Sequence, residues 1–335
     1  MRLTLGSRTT GFLLAAASCT FGQGPDSLSA IREKMSAILL RQPDYTCLET
    51  VERTEQSGAN RSRVEDTLRL EVALVEGKEM FAWPGSRQFE DRELRDLVST
   101  GMFGNGNFAV YARILFLTNL AVFEYQGEAD FNGRPAVVYR FRVPRSANAH
   151  RLRVNEREAV VGFHGSFYAD SDSLDIRRVE VVAEDIPEEL GVSSAETTVT
   201  YGRVRINGEE FLLPVESELR MAMPDHVDRN WVRFSACRHF TGESTLSFTD
   251  PVLEQVSSAP TAIEVEIPTG LTLPLEMPPI DLMQSAVGDE IRATLRSDLK
   301  DHGRLLAPKG AVAQGIFSSW TAAPIPSRSR SDSRI

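Results

Sequence analysis

The chain has 335 residues, with 47 acidic against 37 basic side chains, and a net charge of −10 near neutral pH. That balance argues against a nucleic-acid surface, which requires clustered positive charge. Once an N-terminal leader is set aside, about 310 residues remain, enough for two domains on ordinary length grounds.

Residues 1–10 carry Arg2 and Arg8 and no acid, the apolar run Gly11 to Ala17 follows, and small residues continue to Gly22. This positive, apolar, small order is that of a secretory signal peptide, so residues 1–22 are expected to direct export. The apolar stretch falls short of the roughly 20 residues a spanning helix needs, and no later stretch reaches that length, so no transmembrane span is expected. Cleavage after Gly22 would release the chain. A second reading takes Ala16-Ala17-Ser18-Cys19 as a weak lipoprotein box with Cys19 as the acylated residue. Either way the destination is the periplasm or the outer membrane.

Asp26-Ser27 can start a helix that runs to Leu40, since Leu28, Ile31, Met35, Ile38 and Leu39 recur at helical spacing and Pro43 stops it. From Tyr45 the pattern becomes strand-like, with Leu68, Leu70, Val72 and Leu74 alternating with polar positions to give one apolar and one wet face. Glu76-Gly77 turns this strand into Lys78–Trp83. Asn132-Gly133 and Asn207-Gly208 mark two further hairpins, because a two-residue type I′ turn needs positive φ at both positions. They join 122–129 to 136–143 and 197–206 to 210–216. Between the Lys78–Trp83 strand and the 122–129 strand a helical insertion is expected over 90–100 and 108–120, joined by the glycine-rich 101–106. More strands are expected near 160–169, 176–184 and 231–248. The predicted organisation is a first domain over 23–250, a linker at 251–261, a small β-domain over 262–317, read as either complete or truncated, and a Ser/Arg/Pro-rich tail over 318–335 with little to bury.

Export leaves Cys47 and Cys237 in an oxidising compartment, each in a strand-like run. A bridge would tie the domain's first strand to its last; the other reading is two buried thiols. The five histidines, His150, His164, His226, His239 and His302, fall in no metal-binding spacing, so no metal or cofactor is expected. Gly165-Ser166-Phe167 lacks the second glycine of a nucleophile elbow, and the acids between Asp170 and Glu189 fit turns and loops. No catalytic constellation emerges, and the chain reads as non-enzymatic. Large apolar side chains do stand out. Phe81, Trp83, Phe116, Phe123, Tyr139 and Phe141, supplied by the insertion and its neighbouring strands, either fill a core or line a cleft for a hydrophobic ligand.

Tyr45-Thr46-Cys47-Leu48-Glu49-Thr50-Val51, Gly162 to Asp170 with Arg178-Val179-Glu180, and Tyr201-Gly202-Arg203-Val204 with Phe211 to Val215 together resemble a family of exported acidobacterial proteins. Their strand order is similar to that of the periplasmic lipoprotein carriers LolA and LolB and the RseB sensor domain. Over residues 27 to 250 this resemblance implies an α+β fold, an incomplete antiparallel barrel curved over helices, whose concave face holds acyl chains. Residues 267 to 317, through Ile267-Pro268-Thr269-Gly270, Val287-Gly288-Asp289 and Ala307-Pro308-Lys309-Gly310, resemble the small β-domain of TrbI-like proteins. The expected function is binding of a lipid or lipidated peptide in the concave face. The alternative is a scaffolding module that contacts other envelope proteins.

Overall fold

The computed structural model describes residues 24–58, 61–86, 89, 109–147, 150–155, 157–240, 267, 271–281 and 284–317. The leader with Cys19, the insertion from 90 to 106, the strand continuation at 241–248, the linker at 251–261 and the tail from 318 lie outside the described residues.

Helix α1 (Gly24–Arg41) ends before Pro43 and buries Ile31, Met35 and Leu39, one per turn along a single stripe. Each is worth on the order of 1.5–3 kcal/mol of burial. Strands β1 (Tyr45–Ser57), β2 (Arg61–Val75) and β3 (Lys78–Ala82) form a meander. Helix α2 (Val110–Leu117) falls inside the predicted 108–120 window. After it come β4 (Val122–Phe131) and β5 (Arg134–Val143), the outlying hairpin β6 (Arg151–Val154) and β7 (Arg157–Val160), then β8 (Gly162–Asp170) and β9 (Ile176–Glu184). The unit closes with β10 (Ser194–Ile206), β11 (Glu209–Ala222) and β12 (Val227–His239).

Ten of these strands make one open antiparallel sheet in the order β3-β2-β1-β12-β11-β10-β9-β8-β5-β4. Both Asn-Gly hairpins form where expected, with Asn132 and Asn207 at φ 54° and 49° before their glycines. The sheet is much the larger part of the unit, with two helices on one face, so α+β describes it only approximately. The first strand does pair with the last. That pairing carries a bulge at Cys47, opposite Ala236 at φ 49°, and the Cys47–Cys237 disulfide closes a separation of 190 residues. The bulge is what brings the sulfurs together. Simple alternation from Phe234 would send Cys237 to the face opposite Cys47, and the extra residue restores it.

The expected wet face of β2 is only partly wet. Arg238 reaches from β12 to the Glu71 carboxylate at 2.9 Å, and Glu71, Thr46 and Ala73 are all buried there.

Toward the C-terminus, β13 (Leu275–Glu276), β14 (Glu290–Leu295) and β17 (Val312–Ile316) form a three-stranded sheet, and β15 (Leu299–Asp301) pairs with β16 (Arg304–Ala307). Among the described residues these strands stop short of a closed barrel. The segment docks on β2 beyond the reach of β3. Val287 bridges to Leu68 in parallel, with Arg69 N donating to Val287 O at 2.7 Å and Val287 N donating to Thr67 O at 2.8 Å. Arg69 Nη1 meets both Asp289 oxygens at 2.6 Å. The contact covers an exposed stretch of edge that would otherwise be open to pairing with another chain. Gly288 permits it: at φ +102°, a Cβ would lie 2.0 Å from the Arg69 carbonyl oxygen. Gly288→Ala is therefore expected to cost about 1–3 kcal/mol and detach the segment from β2. Hydrogen exchange at the Arg69 amide checks this, and unchanged protection would rule the joint out as a determinant of edge protection.

Candidate functional site

Cross-strand register places rows of side chains on the face that carries α1 and α2. One row runs Leu68, Val51, Val232, Ser217, Val199, Val179, Phe167, Tyr139 and Tyr125, from β2 to β4. The next runs Asp66, Arg53, Asn230, Leu219, Thr197, Val181, Gly165, Phe141 and Phe123. Both rows are aromatic toward β4. The second becomes polar toward β1.

At the aromatic end, Phe116 from α2, Phe123 from β4 and Tyr139 from β5 all meet Phe167, at ring separations of 5.4, 5.9 and 5.3 Å. Phe141 meets Phe163 at 6.3 Å. The helices are tied to this end by polar contacts as well as packing. The Ser27 hydroxyl lies 2.6 Å from the Tyr139 hydroxyl, Lys34 pairs with Asp175 at 2.7 Å, and Arg32 stacks over Phe123. Tyr111 of α2 hydrogen-bonds Thr197 in the sheet, and burial pushes its phenol up to about 12. The adjacent His150 ring, against Tyr111 and Phe163, is pushed down to about 4 by its burial and is neutral.

The structure therefore brings Phe116, Phe123, Tyr139 and Phe141 into one cluster and places Phe81 and Trp83 in a second, beside Leu70, Val72 and Phe234. Tyr139 and Phe141 are almost wholly buried beneath the helices, and Phe116 is almost wholly buried on the inner side of α2. Sequence reasoning missed the hub, Phe167. On β8, Phe163 and Phe167 share the inward parity, while His164, Ser166 and Tyr168 take the other. His164 and Ser166 instead line a shallow groove of about 420 Å³ on the opposite face with Arg140 and Glu180. His164 Nδ1 lies 3.3 Å from Glu184 there.

Glu49 was also missed. It sits on the apolar parity of β1, between Leu70 of β2 and Phe234 of β12, and is buried with its Oε2 lacking a hydrogen-bond partner. Burial, reinforced by the nearby Glu79 carboxylate, pushes it up to about 8, so it is largely protonated at neutral pH. Ser217 on the same face is likewise buried with its hydroxyl oxygen unpartnered. Of the nine buried polar or charged residues among the described residues, five (Glu49, Arg53, Thr197, Ser217 and Asn230) lie on this face, which is where a core would ordinarily be driest. At the far end of β1, Glu55 comes together with His226 and Asp228, three metal-ligand types in a region where the sequence reading expected no metal.

The chain is similar to several solved structures, three of which follow. One is a putative outer membrane lipoprotein-sorting protein domain from Vibrio parahaemolyticus, 12% identical, covering 65% of this chain and 94% of that one at a TM-score of 0.36. Another is a LolA superfamily protein from Nitrosomonas europaea, 12% identical over 64% and 93% of the two chains at 0.33. The third is a DUF1329 family protein from Desulfovibrio piger, 14% identical over 64% and 92% at 0.31. No protein-family model matches the chain, and neither does any curated protein. Among the described residues, no helix is long and apolar enough to cross a membrane.

Proposed function

We propose that this is an exported, non-enzymatic envelope protein that binds an amphiphile, a lipid or lipidated peptide, between the helices and the concave face of its sheet. The observation that carries this reading is the buried Glu49 carboxyl, whose Oε2 has no partner among the described residues, set in the same face of the sheet as the aromatic cluster. A buried polar group left unpaired costs about 1–3 kcal/mol, and packing gives no return for it. A ligand with a hydrogen-bonding head supplies the missing contact, and its apolar tail suits the aromatic cluster on the same face. The tail takes the place of α1 and α2 against Tyr139, Phe141 and Phe167, and the head bonds Glu49. Because the aromatic end is closed by the helices, binding on this reading requires α1 and α2 to move away from the sheet.

Native mass spectrometry tests this on protein purified from its own envelope and then titrated with palmitate or a diacylated lipopeptide. A one-to-one adduct is expected, together with loss of hydrogen-exchange protection in α1. Protein that is empty as purified and takes up neither probe contradicts the proposal.

A second reading, protein contact by the C-terminal β-segment, rests on a separate observation. Seven of the eleven large hydrophobic residues exposed in the structure, from Ile267 to Ile316, belong to that segment.

A further inference from the structure

We propose that Glu55, His226 and Asp228 form a divalent transition-metal site of the zinc type at the end of β1. Their ligand atoms lie within 4.8 Å of one another, and all three residues are half-buried. Imidazole with two carboxylates is a donor set for zinc-like ions; calcium and magnesium favour oxygen alone. His226 Nε2 lies 3.6 Å from Asp228 Oδ1. A tetrahedral ion held at about 2.0–2.1 Å sets its ligands roughly 3.3–3.4 Å apart, so this pair is close to ligating geometry already.

The supporting groups point the same way. Asp225 Oδ1 holds His226 Nδ1 at 2.7 Å, which directs Nε2 toward the two carboxylates. The Ser57 hydroxyl donates to Glu55 Oε1 at 2.9 Å. Hydrogen-bonded ligands of this kind are the usual outer shell of a metal site.

Register adds an independent argument. Glu55 and Asp228 are directly opposed across β1 and β12, and like charges so placed destabilise a sheet. Of the neighbouring cations, Arg229 pairs with Glu218 at 2.7 Å, and Arg53 pairs with Asp66 through Nε and Nη2 while also acting on Asp228, so the opposed carboxylates are only partly offset. Arg63, opposite Glu55 on β2, is largely exposed and reaches Glu65 at 3.8 Å. A bound dication would balance the opposed carboxylates and fasten the β11–β12 turn to the end of β1.

The test uses the full chain, stripped with chelator and titrated with zinc chloride by calorimetry. One equivalent is expected to bind, with a rise in melting temperature. Asp225→Asn should weaken binding about tenfold and His226→Gln about a hundredfold, while His302→Gln, remote in sequence and exposed, leaves it unchanged. Cobalt(II) absorption provides a readout independent of stability, since bands of a four- or five-coordinate ion should appear in the parent and vanish in Glu55→Gln. No saturable zinc binding, or equal affinity in a folded His226→Gln protein, overturns the assignment.

Discussion

Reducing the Cys47–Cys237 bridge, or replacing both residues in a Cys47→Ala/Cys237→Ala protein, is expected to lower the unfolding free energy by about 4–5 kcal/mol. The upper end of that range is close to the loop-closure entropy of the 190-residue separation in the chain-entropy model, about 5 kcal/mol. Domains hold only about 5–15 kcal/mol in total, so a loss of this size takes away a third or more of the reserve. The location of the bridge makes it matter. β1 is the first strand and β12 the last of the ten-stranded sheet, and their pairing joins the β1–β3 meander to the rest of the sheet, from β12 through β11 to β4. The native contact also carries a cost, because Ala236 holds the left-handed conformation in the bulge, worth about 1–2 kcal/mol against a non-glycine residue. Urea denaturation with and without reductant reads the effect as a shift in midpoint. A change worth less than about 1 kcal/mol would mean that the sheet, and not the bridge, holds the two strands together.

The same strands show how far sequence reasoning reaches. Hairpins were legible because their signal is local: Asn132-Gly133 and Asn207-Gly208 need nothing from the rest of the chain. The alternation at Leu68 to Leu74 placed β2 correctly on its apolar side. It failed at Glu71 because Arg238, distant in sequence, covers that position. Pairing Cys47 with Cys237 was one of two open readings, and it depended on a bulge at Ala236 that alternation alone argues against. The aromatic set divides between two clusters for a similar reason. Phe116, Phe123, Tyr139 and Phe141 converge on one end of the sheet, whereas Phe81 and Trp83 follow β2 and β3 to the other. Glu55 and His226 meet only through the β1–β12 register, so neither spacing nor motif could have linked them. Glu49, by contrast, was visible in principle. In Tyr45-Thr46-Cys47-Leu48-Glu49-Thr50-Val51 it is the acid on the inward parity, and an acid there is a conflict between pattern and burial that marks a functional position more often than an error.

That conflict sets a second large effect. Glu49 titrates at about 8 in the folded protein, against 4.5 for an unperturbed glutamate. Between those values the folded state keeps a proton that the unfolded chain has released, so stability falls as pH rises through this window and levels off above it. The full span is worth roughly 3–5 kcal/mol, at up to about 1.4 kcal/mol per pH unit. Glu49→Gln keeps the shape and hydrogen-bonding capacity without the charge, and its stability between pH 5 and about 8 should lose this slope. Glu49→Leu removes the unpaired polar group as well, so near pH 8 it should be more stable than the parent by a few kcal/mol. Denaturant midpoints across the pH series measure both. If burial of Glu49 were merely a tolerated flaw, the leucine protein would gain stability and lose nothing. If the carboxyl is the polar anchor of the concave face, that same protein becomes more stable while its affinity for the palmitate or lipopeptide probe falls at least about tenfold, and the glutamine protein retains most of it. A stabilised Glu49→Leu protein with undiminished ligand uptake would remove Glu49 from the site and leave the aromatic end of the sheet to account for binding alone.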